Sequence, residues 1–110
     1  MDDLNKGIRF VQSIPQNKWD LGKYKEMYET QYKEALDRLA KFQQDGQETE
    51  ITFVSRGVSD VEIETWKLGR TNEHIQLLER IVQCKKQIAW LDRGLKGLIQ
   101  DKIHMLESMI

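Results

Sequence analysis

A chain of 110 residues, 39% hydrophobic and 32% charged with a net charge of −1, is long enough for one hydrophobic core and too short for two. One proline and seven glycines are too little punctuation for a β-sandwich or a disordered linker, so the expected class is all-α. The balanced charge predicts no general affinity for nucleic acid, and the lone Cys84 can form no internal disulfide, which points to a reducing, cytoplasmic setting.

The chain opens with Asp2 and Asp3 ahead of a short apolar patch, whereas an export signal needs a basic start and a longer apolar run. Nothing approaches the roughly 18 uninterrupted apolar residues of a membrane span, so no membrane partner is expected. After Pro15, Asn17 or Asp20 can cap a helix over about residues 18–44. Its apolar face is Tyr24, Met27, Tyr28, Tyr32, Ala35, Leu36, Leu39 and Phe42, at steps of three and four. Glu29 with Lys33 and Glu34 with Arg38 stand in the favourable i, i+4 order. Asp45-Gly46 is expected to end this helix, glycine tolerating a left-handed terminal conformation.

Residues 45–58 read as an irregular connector. Ile51-Thr52-Phe53-Val54 has strand character, but a lone strand is marginal unless a second copy pairs with it. Arg56-Gly57 breaks the chain, and Ser59-Asp60-Val61-Glu62 matches a capping box that starts a new helix. One or more helices then fill residues 60–109, about 75 Å if continuous, with a break expected near residues 69–72.

The clearest pattern is a heptad seam: Leu77, Ile81, Cys84, Ile88, Leu91, Leu95, Leu98, Lys102, Met105 and Met109 alternate steps of four and three. Ile99, Ile103, Leu106 and Ile110 widen it at the far end, which predicts packing on more than one neighbour. Lys102 interrupts the apolar line, where it either fixes register or snorkels to solvent. The expected architecture is a single domain over residues 1–110, an antiparallel helical hairpin or bundle with a long heptad-patterned C-terminal helix. The apolar members of the seam are candidates for self-association into a dimer or larger assembly.

Catalytic chemistry is not legible. His74 and His104 stand thirty residues apart with no further histidine or cysteine at a ligand spacing, the glycines form no phosphate loop, and Cys84 falls in the apolar seam, where a buried hydrophobe is the commoner role. No enzyme activity, metal or cofactor is therefore expected. Charge is unevenly placed: residues 43–65 carry six acids and one base (1 − 6 = −5), and residues 80–102 six bases and two acids (6 − 2 = +4). The two stretches could attract each other in a hairpin or dimer, or the second could meet phosphates. Trp90 lies one residue off the seam and, with Arg80, Lys85, Lys86, Arg93 and Lys96, forms the candidate partner surface. Trp19 and Trp66, and the ladder of Tyr24, Tyr28 and Tyr32, are as readily explained by core packing.

Gly57-Val58-Ser59-Asp60, the helix through Arg70, and Ile88-Ala89-Trp90-Leu91-Asp92-Arg93-Gly94-Leu95-Lys96-Gly97-Leu98 followed by Asp101-Lys102-Ile103 resemble the region upstream of the DNA-reading module in phage late-transcription regulators of the ArpU and RinA type. The resemblance covers residues 57–109. It implies a helical part leading into a helix of the form I-x-x-I-D-x-A-L-x-x-L, with a helix-turn-helix beyond. This sequence stops where that module would begin, so no DNA-contacting residue is carried over. The expected function is that of a small phage or prophage regulator working through self-association and contact with a host or phage protein, modulating transcription or a host factor in the bacterial cytoplasm. The alternatives are a nucleic-acid binder using residues 80–102 and a structural subunit of phage assembly.

Overall fold

Leu4, Ile8 and Val11, with Ile14 one residue beyond, recur at steps of four and three, and the segment that carries the first three is a helix, α1 (Asp2–Ser13). It was not among the expected elements. The structure is a computed structural model that describes residues 2–15 and 20–110, and two further helices follow, α2 (Leu21–Ser55) and α3 (Asp60–Ser108). No strand occurs among the described residues. The all-α class and the long C-terminal helix are as expected. Asp20 caps α2, its carboxylate accepting from the Lys23 amide at 2.9 Å. The other proposed cap, Asn17, and Trp19 lie outside the described residues.

The expected connector is a correction. α2 runs through Asp45-Gly46 and through Ile51-Thr52-Phe53-Val54 to Ser55. The helix penalty of β-branched residues is only about 0.5 kcal/mol each, and Phe53 offsets it by packing edge-on to Trp66, ring centroids 5.3 Å apart. The chain reverses one residue later. The Gly57 amide donates to the Val54 carbonyl at 3.1 Å and the Val58 amide to the Phe53 carbonyl at 3.0 Å, the Schellman closure with Gly57 at φ 73°. Ser59 then caps α3, accepting from the Glu62 amide at 3.3 Å.

The break expected near residues 69–72 is also corrected. α3 continues there and departs from helical geometry at Gly94 instead (φ 70°, ψ 171°). That conformation is essentially open to glycine alone, so α3 is two helical pieces, residues 60–93 and 95–108.

Contacts divide the chain into two units. In the first, α1, the part of α2 up to Tyr32 and the part of α3 from Gln83 pack pairwise. Phe10 meets Tyr28 edge-on at 5.5 Å and Trp90 at 5.7 Å. Lys25 of α2 pairs with Asp92 of α3 at 2.7 Å. Val11, Ile14, Cys84, Leu91 and Leu98 form the buried core. In the second unit, residues 33–55 of α2 and 60–82 of α3 make an antiparallel hairpin around Ala35 and Ile63. Arg70 spans it, its guanidinium 3.9 Å from the Phe42 ring centre and 5.1 Å from that of Trp66, donating to the Phe42 carbonyl at 2.6 Å. Glu50 and Lys67 pair at 2.9 Å beside it.

Candidate interaction surfaces

The heptad seam turns inward. Cys84, Leu91 and Leu98 are buried within the single chain, Leu77, Ile81, Ile88, Leu95 and Met105 are half-buried, and Met109 is exposed. The assignment of this seam to self-association is corrected at the three buried positions, because a side chain already enclosed by its own chain has little surface left for another copy. Lys102 keeps its place in the seam by donating from Nζ to the Asn5 Oδ1 at 2.5 Å, a partner on a helix the sequence reading did not anticipate. Ile99, Ile103, Leu106 and Ile110, expected to meet more than one neighbour, are exposed.

A different line of apolar side chains on α3 faces outward. Val61, Leu68, Ile75 and Val82 are 76%, 73%, 45% and 52% exposed. They recur every seven residues, with the exposed Leu78 between the last two. Ile63, Arg70 and Leu77, two residues further on from the first three, lie about 200° round the helix and are buried or half-buried on the inner side. On α2, Ile51 and Val54 are likewise exposed and line an open groove of ≈ 530 Å³ with Gln47, Glu50 and Ser55.

In the first unit α1 and α3 enclose a second groove, of ≈ 500 Å³, which gathers part of the expected partner surface. Trp90 forms its floor with Phe10. A β-carbon on Gly7 would stand 2.6–2.9 Å from the Trp90 indole, so the ring reaches this position because α1 presents bare backbone there. Lys86 joins Lys6 and Arg9 on the walls and pairs with Asp3 at 3.4 Å, three bases against one acid. Arg93 instead turns to Asp101 across the Gly94 bend, Nε to Oδ2 at 3.0 Å, and this partner holds its pKa above the ordinary value. Lys85, one residue and about 100° round from Lys86, and Lys96, beyond the bend, are exposed outside the groove. Arg80 is exposed in the hairpin unit.

Lys6, Arg9 and Phe10 form no motif of their own, and the signal that places them on a helix is the i, i+4, i+7 spacing of Leu4, Ile8 and Val11. The outward line had a legible signal too, its strict seven-residue spacing, but the denser inward seam masks it. The remaining reactive groups stay apart. His74 packs at a tilt against Phe42, ring centroids 5.8 Å apart, His104 is exposed and Cys84 is core. Among the described residues no three histidine, cysteine or acidic side chains come together as metal ligands, and no helix is long and apolar enough to cross a membrane. Compared with protein-family models, curated proteins and solved structures, the chain matches none.

Proposed function

We propose that this chain is a helical interaction module that acts by binding itself and a second protein, as a small regulator in a phage or prophage setting. On that reading it modulates transcription or a host factor from within the bacterial cytoplasm, and it is not an enzyme. The observation that carries the proposal is the unequal division of apolar side chains. Among the described residues seven hydrophobic side chains are buried and thirteen large ones are exposed, and those on α3 are ordered in heptads rather than scattered. Single exposed leucines are ordinary on any protein, but contiguous apolar lines mark interaction sites. The resemblance of residues 57–109 to the region upstream of the DNA-reading module in phage late-transcription regulators supports the setting.

Molar mass by light scattering after size-exclusion chromatography, across a tenfold concentration range, tests the self-association. A dimer or larger species is the expected result, and a monomer at every concentration would overturn it. A second reading, binding of a phosphate-bearing polymer, draws on the groove in which Lys6, Arg9 and Lys86 surround Trp90. Stacking on an aromatic floor with cationic walls is how single strands are held. Titration of labelled single-stranded DNA and RNA at rising salt decides it, since phosphate contacts release counterions and affinity falls steeply with salt. No binding at low salt removes that reading.

A further inference from the structure

We infer that the outward line of α3 is covered by a second copy of this chain lying antiparallel to the first. The inference rests on the self-association proposed above and supplies its surface and its direction. Seven residues advance 700° round an α-helix, 20° short of two turns. A line held strictly at 61, 68, 75 and 82 therefore drifts slowly and is followed best by another helix wrapped round it with a left-handed twist. Between these positions, three residues after each, stand Glu64, Thr71, Leu78 and Lys85. Together the two sets make a two-line seam, apolar through its middle, with Glu64 and Lys85 as its charged positions.

The charges choose the occupant and its direction. Of the seam positions themselves, Glu64 stands near one end and Lys85 at the other, while Arg80 lies about 200° round the helix from Val82 and Lys86 is paired with Asp3 of its own chain. One helix thus carries both halves of a complementary pair, the property a two-fold, self-complementary interface requires. In a parallel pair Glu64 would face Glu64 and Lys85 would face Lys85, two like-charge layers at the seam. In an antiparallel pair centred near residue 73, Leu68 meets Leu78 and Thr71 meets Ile75. Glu64 then lies level with Val82 of the second copy, one layer from that copy's Lys85. Within its own chain Glu64 is held only at the surface, 3.6 Å from Lys67.

Sedimentation equilibrium on the full chain tests this, with circular dichroism to check that each variant is folded. Leu68 is 73% exposed, so Leu68→Asp leaves the fold intact and is expected to yield a monomer. Glu64→Lys and Lys85→Glu are each expected to weaken the dimer about tenfold, roughly 1.4 kcal/mol, and the double variant to restore it to within about threefold of the parent. Parallel pairing would leave each single reversal without effect, because one like-charge layer replaces another. A dimeric parent whose Leu68→Asp variant stays dimeric overturns this surface while the proposed self-association stands. Failure of the double variant to recover overturns the antiparallel direction, and a monomeric parent overturns both.

Discussion

The guanidinium of Arg70 rests against Gly46 on the facing helix, its central carbon 3.2 Å from where a β-carbon on that glycine would stand. From there it donates to the Phe42 carbonyl and covers the Phe42 ring. A charged hydrogen bond contributes about 1.5–3 kcal/mol and the cation–π contact about 0.5–1. Arg70→Ala should therefore lower unfolding free energy in urea by about 2–3 kcal/mol, and Arg70→Lys, which lacks the planar fork, by about half as much. Gly46→Ala should fail to deliver the roughly 1 kcal/mol gain usual for a helical glycine, yet deliver it in the Arg70→Ala background. Full additivity of the two changes would show that they do not share the site.

Two glycines of α3 should respond to alanine with opposite sign. Gly69 is helical with nothing within 4 Å of an added β-carbon, so Gly69→Ala should stabilise by about 1 kcal/mol. Gly94 adopts φ 70° and ψ 171°, and Gly94→Ala should cost about 1–3 kcal/mol. Thermal unfolding followed by circular dichroism reads both signs, and a stabilising Gly94→Ala would mean that the helix runs straight through this position.

Burial separates the apolar positions of α3 beyond Gln83 by their response to charge. Leu98 is 2% exposed, and Leu98→Asp would enclose an unpaired carboxylate, a cost above about 4 kcal/mol that removes much of a small protein's stability. Leu91→Asp should act alike. Ile103, nearly half exposed, should accept aspartate within about 0.5 kcal/mol. Urea unfolding of the three variants makes the comparison, and a folded, stable Leu98→Asp would remove the core from where the structure puts it.

The Lys25–Asp92 pair should give stability a flat middle and two falling limbs. The hydrogen bond from Lys25, then its charge, hold the Asp92 carboxyl below its ordinary 3.8. The same contact holds the Lys25 ammonium above 10.5. The carboxylate's contribution is complete above 3.8 and is lost as pH falls through the lowered value. The ammonium's is complete below 10.5 and is lost as pH rises through the raised one. Both groups are largely solvated, so the contribution is small. Asp92→Asn should narrow the difference in melting temperature between pH 6 and pH 3, and an unchanged difference would show that the pair contributes nothing to folding.

Much of the architecture is legible from local chemistry. Asp20 and Ser59 cap the helices where their side chains predict, Arg56-Gly57 turns the chain, and the spacing of Cys84, Leu91 and Leu98 marks a buried stripe before any neighbour is known. These are signals of single residues and of periodicity, and both act within a turn or two of helix. The same local reading failed at the glycines. Gly46 carries the chemistry of a helix end, but Arg70, twenty-four residues away in sequence, occupies the space that its missing side chain leaves. Gly69 and Gly94 look alike in sequence, and only the packed structure bends the second.

By itself, then, the sequence determined the helical class, the turn, the caps and the inward stripe, because these depend on backbone propensity and on burying apolar faces at a 3.6-residue period. Tertiary structure alone decided which face each helix spends on its own chain. α1 and α2 cover the stripe through Cys84, Leu91 and Leu98, and a second line at Val61, Leu68, Ile75 and Val82 remains outside. Periodicity reports that a face is apolar but not what it meets, since burial against one's own chain and against a second copy removes the same surface from water.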